Sequence, residues 1–330
     1  MQEIVFRDYL SARGLPQDII KTQVSFIQDL EEKLQQKVPS WTLDDLNGGS
    51  AQTIVDDLID RGENNVENLQ AIARYAWAVK NQPLYTAIFC MLDGYEAMDQ
   101  LYEKLGSYAG EDLRDIIFEE MPLPPLGLSR REKSRYTYRL LHRMETIFEE
   151  STTRDILKDS LRILPDEMYA DNQRLFWEDC RGDIDQYLLK KGQRFIQILE
   201  GHRDRGDLFF GQEIDDAVID FVKSNPQIGQ GVREGNIIYE TKIPYNTKAY
   251  LAEPDPYKKR YHYCHCPWVR ESLLKKNFTV SATWCQCSAG FHKKGYEVVL
   301  GEGLRAEVLQ SVLNGDAVCQ FAITLPEGFT

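Results

Sequence analysis

Two Cys-x-Cys pairs are the residues of this chain best suited to chemistry. They are Cys264 with Cys266 and Cys285 with Cys287, and three histidines lie in the same stretch, 261–297: His262, His265 and His292. Thiolate and imidazole groups are the ligands that zinc and iron–sulfur clusters prefer. The sequence therefore predicts a metal site, with zinc as the first candidate and with Cys264, Cys266, Cys285 and Cys287 as its ligands.

The spacing within each pair limits how it can bind. Side chains two positions apart point about 200° apart on a helix and to opposite faces of a strand, so a pair chelates only from a turn. Pro267 favours such a turn after the first pair, whereas Ser281 or Thr283 is expected to cap a helix that the second pair opens. A site made of one cysteine from each pair plus one histidine is the alternative arrangement.

The same stretch supports a second chemistry, in which one thiol is a nucleophile. Residues 242–294 contain ten basic and three acidic side chains, a local charge of +7 in a protein whose net charge is −13. Positive surroundings and a helix N-terminus both favour the thiolate. Cys266 or Cys287 would then be the nucleophile of a hydrolase or transferase. His265 or His292 would be its base, and a small anionic molecule its substrate. In a third interpretation the thiols only pack the domain, so whether the protein is an enzyme stays open.

Composition and charge limit the classes of partner that the protein can bind and the cell compartment that we expect for it. The N-terminus lacks a signal-peptide pattern, and no run approaches the roughly 20 apolar residues that cross a bilayer, so we expect a cytoplasmic protein without a membrane partner. Seven cysteines in 330 residues are too few for a disulfide scaffold, and Cys90, Cys180 and Cys319 are expected to be buried. The net charge of −13 repels phosphate backbones, which argues against nucleic acid. A small-molecule ligand, anionic if the basic stretch binds it, is the expected partner, and the sequence leaves a homodimer open.

Apolar periodicity predicts a helical N-terminal part. Residues from about 4 to 120 repeat apolar side chains at spacings of three and four. The clearest stripes are Ile20, Val24, Ile27, Leu30 and Leu34, followed by Leu69, Ile72, Ala73, Ala76 and Val79. The proline cluster at 121–127 cannot continue a helix, so the predicted domains are 1–121 and 128–330. Further helices are predicted at 130–149, 171–180, 183–199 and 213–223.

The C-terminal third changes to the alternation that is typical of strands. Strands are predicted at 236–245, 304–312 and 317–325, with 248–252 as a hairpin partner of the first and Asn314-Gly315-Asp316 as a tight turn between the last two. Helices are predicted at 267–276 and 283–300. The predicted fold class is α+β: a helical N-terminal bundle followed by a helix-rich α/β ligand-binding-type domain, whose small antiparallel sheet and cysteine region span 235–330.

The last hairpin carries a family resemblance. The segment Gly315-Asp316-Ala317-Val318-Cys319-Gln320-Phe321 resembles the closing hairpin of the 4-vinyl reductase domain, whose pattern is Gly-Asp-x-x-Cys-x-Phe. Cys266-Pro267, ahead of a predicted helix, is similar to the Cys-Pro that precedes a helix in the bacterial hydrolases of amino-thiazoline carboxylate. The doubled Cys-x-Cys arrangement belongs to neither pattern, and the whole chain looks most like an uncharacterised bacterial family that shares the CHCPW and CxCSAGF segments. The resemblance covers about 230–330 and implies a vinyl-reductase-like α/β domain that binds a metal or a small molecule, as in a sensor.

A second resemblance concerns the N-terminal helices. Residues 4–105 are similar to the helical core-binding domain of tyrosine recombinases, through Phe6-Arg7-Asp8-Tyr9-Leu10 and Arg13-Gly14-Leu15. Domains of that family bind DNA through positively charged side chains. Residues 1–105 contain nine basic and seventeen acidic side chains, a net charge of −8, and no matching Arg/His/Tyr catalytic set follows them. The resemblance therefore implies a shared helical shape without DNA binding.

Overall fold

The chain folds as an α+β protein, as its sequence predicts. The structure, a computed structural model, describes residues 1–274 and 277–328. The chain divides into two compact units. The first comprises Met1–Tyr95 and Pro124–Glu132, and the second comprises Glu96–Leu123 and Lys133–Thr330. None of the helices in the described residues combines the length and the apolarity needed to cross a membrane.

The first unit is a bundle of amphipathic helices. Both apolar stripes predicted from the sequence face its core, since Ile20, Ile27 and Leu69 are almost fully buried. The bundle helices are α1 (Glu3–Ala12), α2 (Gln17–Lys37), α3 (Gly48–Asp60), α4 (Val66–Ala78) and α5 (Gln82–Leu92).

Asparagines begin three of these helices. The side chains of Asn47, Asn65 and Asn81 accept hydrogen bonds from backbone N–H groups in the first turns of α3, α4 and α5. An asparagine in this position satisfies a backbone donor that has no partner within the helix. The cap on α5 is buried and also donates to the carbonyl oxygens of Leu43, Asp44 and Leu46, so it joins the loop before α3 to the start of α5.

The second unit contains most of the remaining helices and the sheet. Its helices are α6 (Ala97–Ala109), α7 (Glu111–Phe118), α8 (Arg130–Ile147), α9 (Glu150–Leu157), α10 (Ala170–Arg174), α11 (Ile184–Arg205), α12 (Asp216–Lys223), α13 (Thr247–Ala252), α14 (Pro256–Tyr263) and α15 (Gln286–Leu300). The first three residues of α8 belong to the first unit. A π-helical turn at Leu175–Asp179 extends α10, and 3-10 turns lie at Asp166–Tyr169, Arg270–Leu274, Ala282–Cys285 and Val312–Asn314.

A small antiparallel sheet forms the centre of the second unit. Its strands are β1 (Val232–Glu234), β2 (Ile237–Thr241), β3 (Arg305–Gln310) and β4 (Gln320–Thr324), in the order β1-β2-β4-β3. Ile238 and Glu240 are the buried positions of β2. Ile238 shares a hydrophobic cluster with Ile323 of β4 and with Tyr296 of α15, so α15 packs on this face of the sheet.

Three local predictions differ from the structure. Residues 248–252 do not form a strand but lie in α13, which Asn246 caps; β1 pairs with β2 instead, through a turn at Gly235. The helix predicted at 267–276 is a short 3-10 turn, Arg270–Leu274, and its last two residues, Lys275 and Lys276, lie outside the described residues. The helix predicted at 171–180 is interrupted by the π-helical turn.

The predicted domain boundary also differs from the division into units. Residues 96–123, which were expected to complete the N-terminal bundle, belong to the second unit. The reason is packing: Leu101, Leu105 and Ile117 share one apolar cluster with Leu140 and Trp268.

Candidate functional site

The structure brings both Cys-x-Cys pairs to one place. Cys264 follows the last residue of α14, and Cys266 lies in the loop beyond it. Cys285 ends a 3-10 turn and Cys287 is the second residue of α15. All four lie in or against the same apolar cluster, and Cys319, which precedes β4, packs against it too. We call Cys264, Cys266, Cys285, Cys287 and Cys319 the thiol cluster.

Local hydrogen bonds hold these segments in position. Ser281 caps the 3-10 turn that leads into α15, as the sequence predicts, by accepting from the N–H of Thr283 at 3.3 Å. The Sγ of Cys285 lies 3.1 Å from the hydroxyl of Ser311, and the N–H of Lys242 donates to the carbonyl of Cys319 at 3.1 Å. The thiol cluster is therefore fixed to both the sheet and the helix that covers it.

Burial keeps Cys264, Cys285, Cys287 and Cys319 protonated. It raises the pKa of Cys264, Cys285 and Cys319, and the neighbouring charge of Cys266 acts in the same direction on each of them. Burial and then Cys266 raise the pKa of Cys287 to about 12, although Lys242 and two further cations act against this. Thiols in such surroundings are poor nucleophiles unless a cation replaces the proton.

His265 is held as a neutral imidazole beside the cluster. Its Nε2 lies 2.6 Å from the carbonyl oxygen of Ile243, and because a carbonyl only accepts, Nε2 carries the ring hydrogen. Burial, helped by Lys242, lowers the pKa of His265 to about 3. The ring also meets Tyr245 edge-on, with the centroids 5.4 Å apart. A base with this pKa has little affinity for a proton at neutral pH.

The described residues contain no preformed metal-ligand set. Within 1–274 and 277–328, no group of three or more His, Cys, Asp or Glu side chains has an arrangement that could hold a metal ion.

A polar seam that the sequence did not reveal crosses the apolar interface between β2 and α15. The carboxylate of Glu240 accepts hydrogen bonds from the Nδ1–H of His292 and from the hydroxyl of Tyr296, each at 2.7 Å, and from the ammonium of Lys191. The His292 ring stacks on Phe321, with the centroids 4.4 Å apart. Burial alone would raise the pKa of Glu240, but Lys191 and His292 outweigh it and lower the pKa to about 2. Glu240 is therefore a buried carboxylate that stays ionised at neutral pH.

Lys242 extends the seam toward the thiol cluster. Its ammonium donates to the hydroxyl of Ser288 at 3.2 Å and lies 5.7 Å from the ring centroid of Phe291 and 5.8 Å from that of Phe321. We use the name polar seam for Lys191, Glu240, Lys242, Ser288, His292 and Tyr296.

Two spacings in the sequence could have revealed the polar seam. Ser288, His292 and Tyr296 recur at intervals of four, which places them on one stripe of a helix. Glu240 occupies the same alternation as Ile238, so a carboxylate stands on the apolar face of a strand. Neither pattern identifies the partner, because that depends on how the helix lies on the sheet.

Several cations of the basic stretch around the cysteines have partners in the fold. Lys248 pairs with Glu213 and Asp215, Lys293 with Asp159 and Glu297, and Lys294 with Asp166. Arg270 lies between the rings of Tyr245 and Tyr261, at 4.1 Å and 4.3 Å from their centroids. Carboxylates from outside the stretch therefore compensate part of the local excess of +7 in the sequence.

The fold and the site together define a helix-rich α+β protein with a thiol cluster and a polar seam between sheet and helix. A family model described as "Family of unknown function (DUF6144)" matches residues 240–329. The match includes the thiol cluster and every member of the polar seam except Lys191. No curated protein and no solved structure matched the chain.

Proposed function

We propose that the second unit binds a thiophilic metal ion, with zinc as the first candidate, and that the protein works as a sensor-like binding protein. Cys264, Cys266, Cys285 and Cys287 would hold the metal, with Cys319 as a further sulfur donor. The single observation that supports this is the packing of both Cys-x-Cys pairs against one apolar cluster. We place the protein in the cytoplasm, because the site requires reduced thiols.

The chemistry of the donors fits a soft cation. Buried thiols are expensive to ionise alone, but a metal ion supplies the positive charge that makes each thiolate stable in place of its proton. Lys104 and Lys242, which act on the pKa of Cys287, would offset the excess negative charge of several thiolates. Because the described residues hold no preformed ligand set, binding would require the side chains to turn toward a common centre.

The hydrolase or transferase alternative has less support. A nucleophilic Cys266 or Cys287 needs a thiolate at neutral pH and a base that takes its proton. The pKa of Cys287 is raised, and the pKa of His265 is too low for an effective base. These observations favour a binding protein over an enzyme that acts through its thiols.

Metal titration tests the proposal. We expect protein purified under reducing conditions to retain zinc or to take up about one equivalent, and Co²⁺ to give the absorption of thiolate-to-cobalt charge transfer. Cys266→Ser should reduce both signals strongly, because Cys266 lies within electrostatic range of the other four thiols. Cys180→Ser is the matched control, since Cys180 is buried in a separate apolar cluster.

The opposite result is equally clear. Less than about a tenth of an equivalent of zinc in the wild type, with no cobalt–thiolate band, would remove the metal from the proposal. Equal loss in Cys180→Ser and Cys266→Ser would show that the signal reports folding and not coordination.

A further inference from the structure

The polar seam arises from two matched spacings. Glu240 and Lys242 lie two residues apart on and just after β2, so they point to the same side at a separation of about 7 Å. Ser288, His292 and Tyr296 recur every four residues on α15, a rise of about 6 Å per step. The two series therefore run side by side: Lys242 meets Ser288, and Glu240 meets both His292 and Tyr296.

One end of the seam is satisfied. Both oxygens of Glu240 accept hydrogen bonds, and Lys191 and Tyr296 are joined to each other as well as to the carboxylate, with 2.8 Å between Nζ and the hydroxyl oxygen. A buried carboxylate with this many donors is a stable structural element.

The other end contains an acceptor without a donor. Because ionised Glu240 only accepts, Nδ1 of His292 carries the ring hydrogen. Burial lowers the pKa of His292, so the ring is neutral and Nε2 offers a lone pair. That atom is buried, and no residue in the described parts of the chain donates to it. An unpaired buried acceptor lowers the stability of the folded protein, and a bound donor would recover that loss.

The same end contains a cation without a counter-ion. Within residues 1–274 and 277–328, no carboxylate pairs with Lys242, whose ammonium has the Ser288 hydroxyl and two aromatic rings around it. Lys242 and Ser288 are half-buried, and neighbouring Phe291 is 40% exposed, so this end of the seam reaches solvent. A partly desolvated ammonium in such a place attracts an anion.

We propose that Lys242, Ser288 and His292 form a binding site for a small hydroxycarboxylate. The carboxylate of the ligand pairs with the Lys242 ammonium and accepts from Ser288, and the ligand hydroxyl donates to Nε2 of His292. A metal cation at Nε2 is disfavoured by the adjacent ammonium, and an amino acid would bring a second cation beside Lys242. This inference does not rest on the metal proposal.

Three small probes test separately the contact of the ligand carboxylate with Lys242 and Ser288 and the contact of the ligand hydroxyl with His292. Glycolate has both a carboxylate and a hydroxyl, acetate lacks the hydroxyl, and glycolamide lacks the charge. Titrations of the full chain, followed by calorimetry and by the ¹⁵N resonance of His292, should show glycolate binding roughly tenfold or more tightly than either of the others. At equal concentrations the His292 resonance should move most with glycolate, because glycolamide keeps the hydroxyl but binds more weakly and acetate has no hydroxyl to donate.

Substitutions test the residues. Lys242→Met and His292→Phe keep the bulk of each side chain and should each weaken glycolate binding by about tenfold or more. Lys248→Met is the matched control, because Lys248 pairs with acidic residues elsewhere and should leave binding unchanged.

Several results would overturn the proposal. They are a failure of the wild type to bind glycolate, equal affinity for all three probes, or unchanged affinity in Lys242→Met. In each case a water molecule that donates to His292 and accepts from Lys242 would explain the geometry instead. The probe comparison uses the wild type alone, so it decides the question even if a substitution prevents folding.

Discussion

At the scale of single residues, Glu240 contributes to the response of the second unit to acid. Its pKa is lowered from 4.5 to about 2, so the ionised form is the one that the fold stabilises. A lowered carboxyl pKa contributes stability that is complete above the unfolded value and is lost as the pH falls toward the folded value. We expect the free energy of unfolding to drop by roughly 2–4 kcal/mol between about pH 4.5 and pH 2 from this group.

The measurement is denaturant unfolding at several pH values. Glu240→Gln should be less stable than the wild type at pH 7 and should lose less stability over that acid window. Glu307→Gln, which changes an exposed glutamate on β3, should follow the wild-type curve. Parallel curves for Glu240→Gln and the wild type would contradict the assignment.

The cysteines of the site could be identified from the sequence, but the contacts within the polar seam could not. The Cys-x-Cys pairs are visible in the sequence, whereas the expectation that they meet assumes that folding brings together two segments separated by 18 residues. The partners within the polar seam are not visible, because Lys191 and His292 are 49 and 52 residues from Glu240 and reach it only through the packing of two helices on the sheet. Cys319 was expected to be buried; the structure shows it partly buried, just before β4, against the same apolar cluster as the other four thiols.

At the scale of elements, α15 approaches the segment after α9 very closely. A Cβ atom on Gly290 would lie 2.3 Å from the backbone nitrogen of Ser160 and 2.4 Å from the carbonyl carbon of Asp159. Because backbone atoms cannot rotate away, we expect Gly290→Ala to destabilise the second unit by about 1–3 kcal/mol or more. Gly303→Ala is the control, as a Cβ there meets nothing within 4 Å. Thermal unfolding of the two variants decides the point, and equal melting temperatures would refute it.

A second element-scale prediction concerns the cap of α5. Asn81 donates to three carbonyl groups and accepts from the N–H of Leu84, all in a buried setting. Asn81→Ala should therefore cost about 3 kcal/mol or more, whereas Asn65→Ala, at an exposed cap with one bond, should cost about 1 kcal/mol. Hydrogen exchange in the first unit measures both. Similar losses would mean that the buried bonds of Asn81 are not important.

Periodicity predicted long elements better than short ones. Ile20 through Leu34 specify α2 because five apolar positions agree on one face. The five-residue window 248–252 contains too few residues to separate a strand from a helix, and the decisive signal is Asn246, whose side chain accepts from the N–H of Ala249 at 3.0 Å and starts α13. Short windows therefore need their capping residues to be interpreted correctly.

At the scale of the whole molecule, the negative net charge predicts that the protein does not bind DNA. With a net charge of −13, and −8 over residues 1–105, the protein should not retard duplex DNA at physiological salt. We expect any affinity in a mobility-shift assay to be weaker than about 10⁻⁴ M, the upper end of the non-specific range. Salt-sensitive binding in the micromolar range would contradict this and would revive the recombinase resemblance as a functional one.

The division into units was the hardest feature to predict. The proline cluster near residue 121 does interrupt helices, but α6 and α7 before it join the second unit through contacts with residues far along the chain, such as Leu140 and Trp268. Local composition cannot report such contacts. The fold class could be predicted because it follows from local patterns alone.

In the strand order β1-β2-β4-β3, β4 lies between β2 and β3. It is the last of the four strands to be synthesised and the one that joins β3 to the rest of the sheet. Until β4 is synthesised, His292 has no Phe321 to stack on, and the N–H of Lys242 has no Cys319 carbonyl to bond. The four thiols of the Cys-x-Cys pairs are likewise made earlier than Val312, Leu313 and Val318, which belong to or pack against their apolar cluster. We therefore expect newly made chains to pass through an interval in which those thiols are less covered and more exposed to oxidants, and long-range contacts of this kind prolong it.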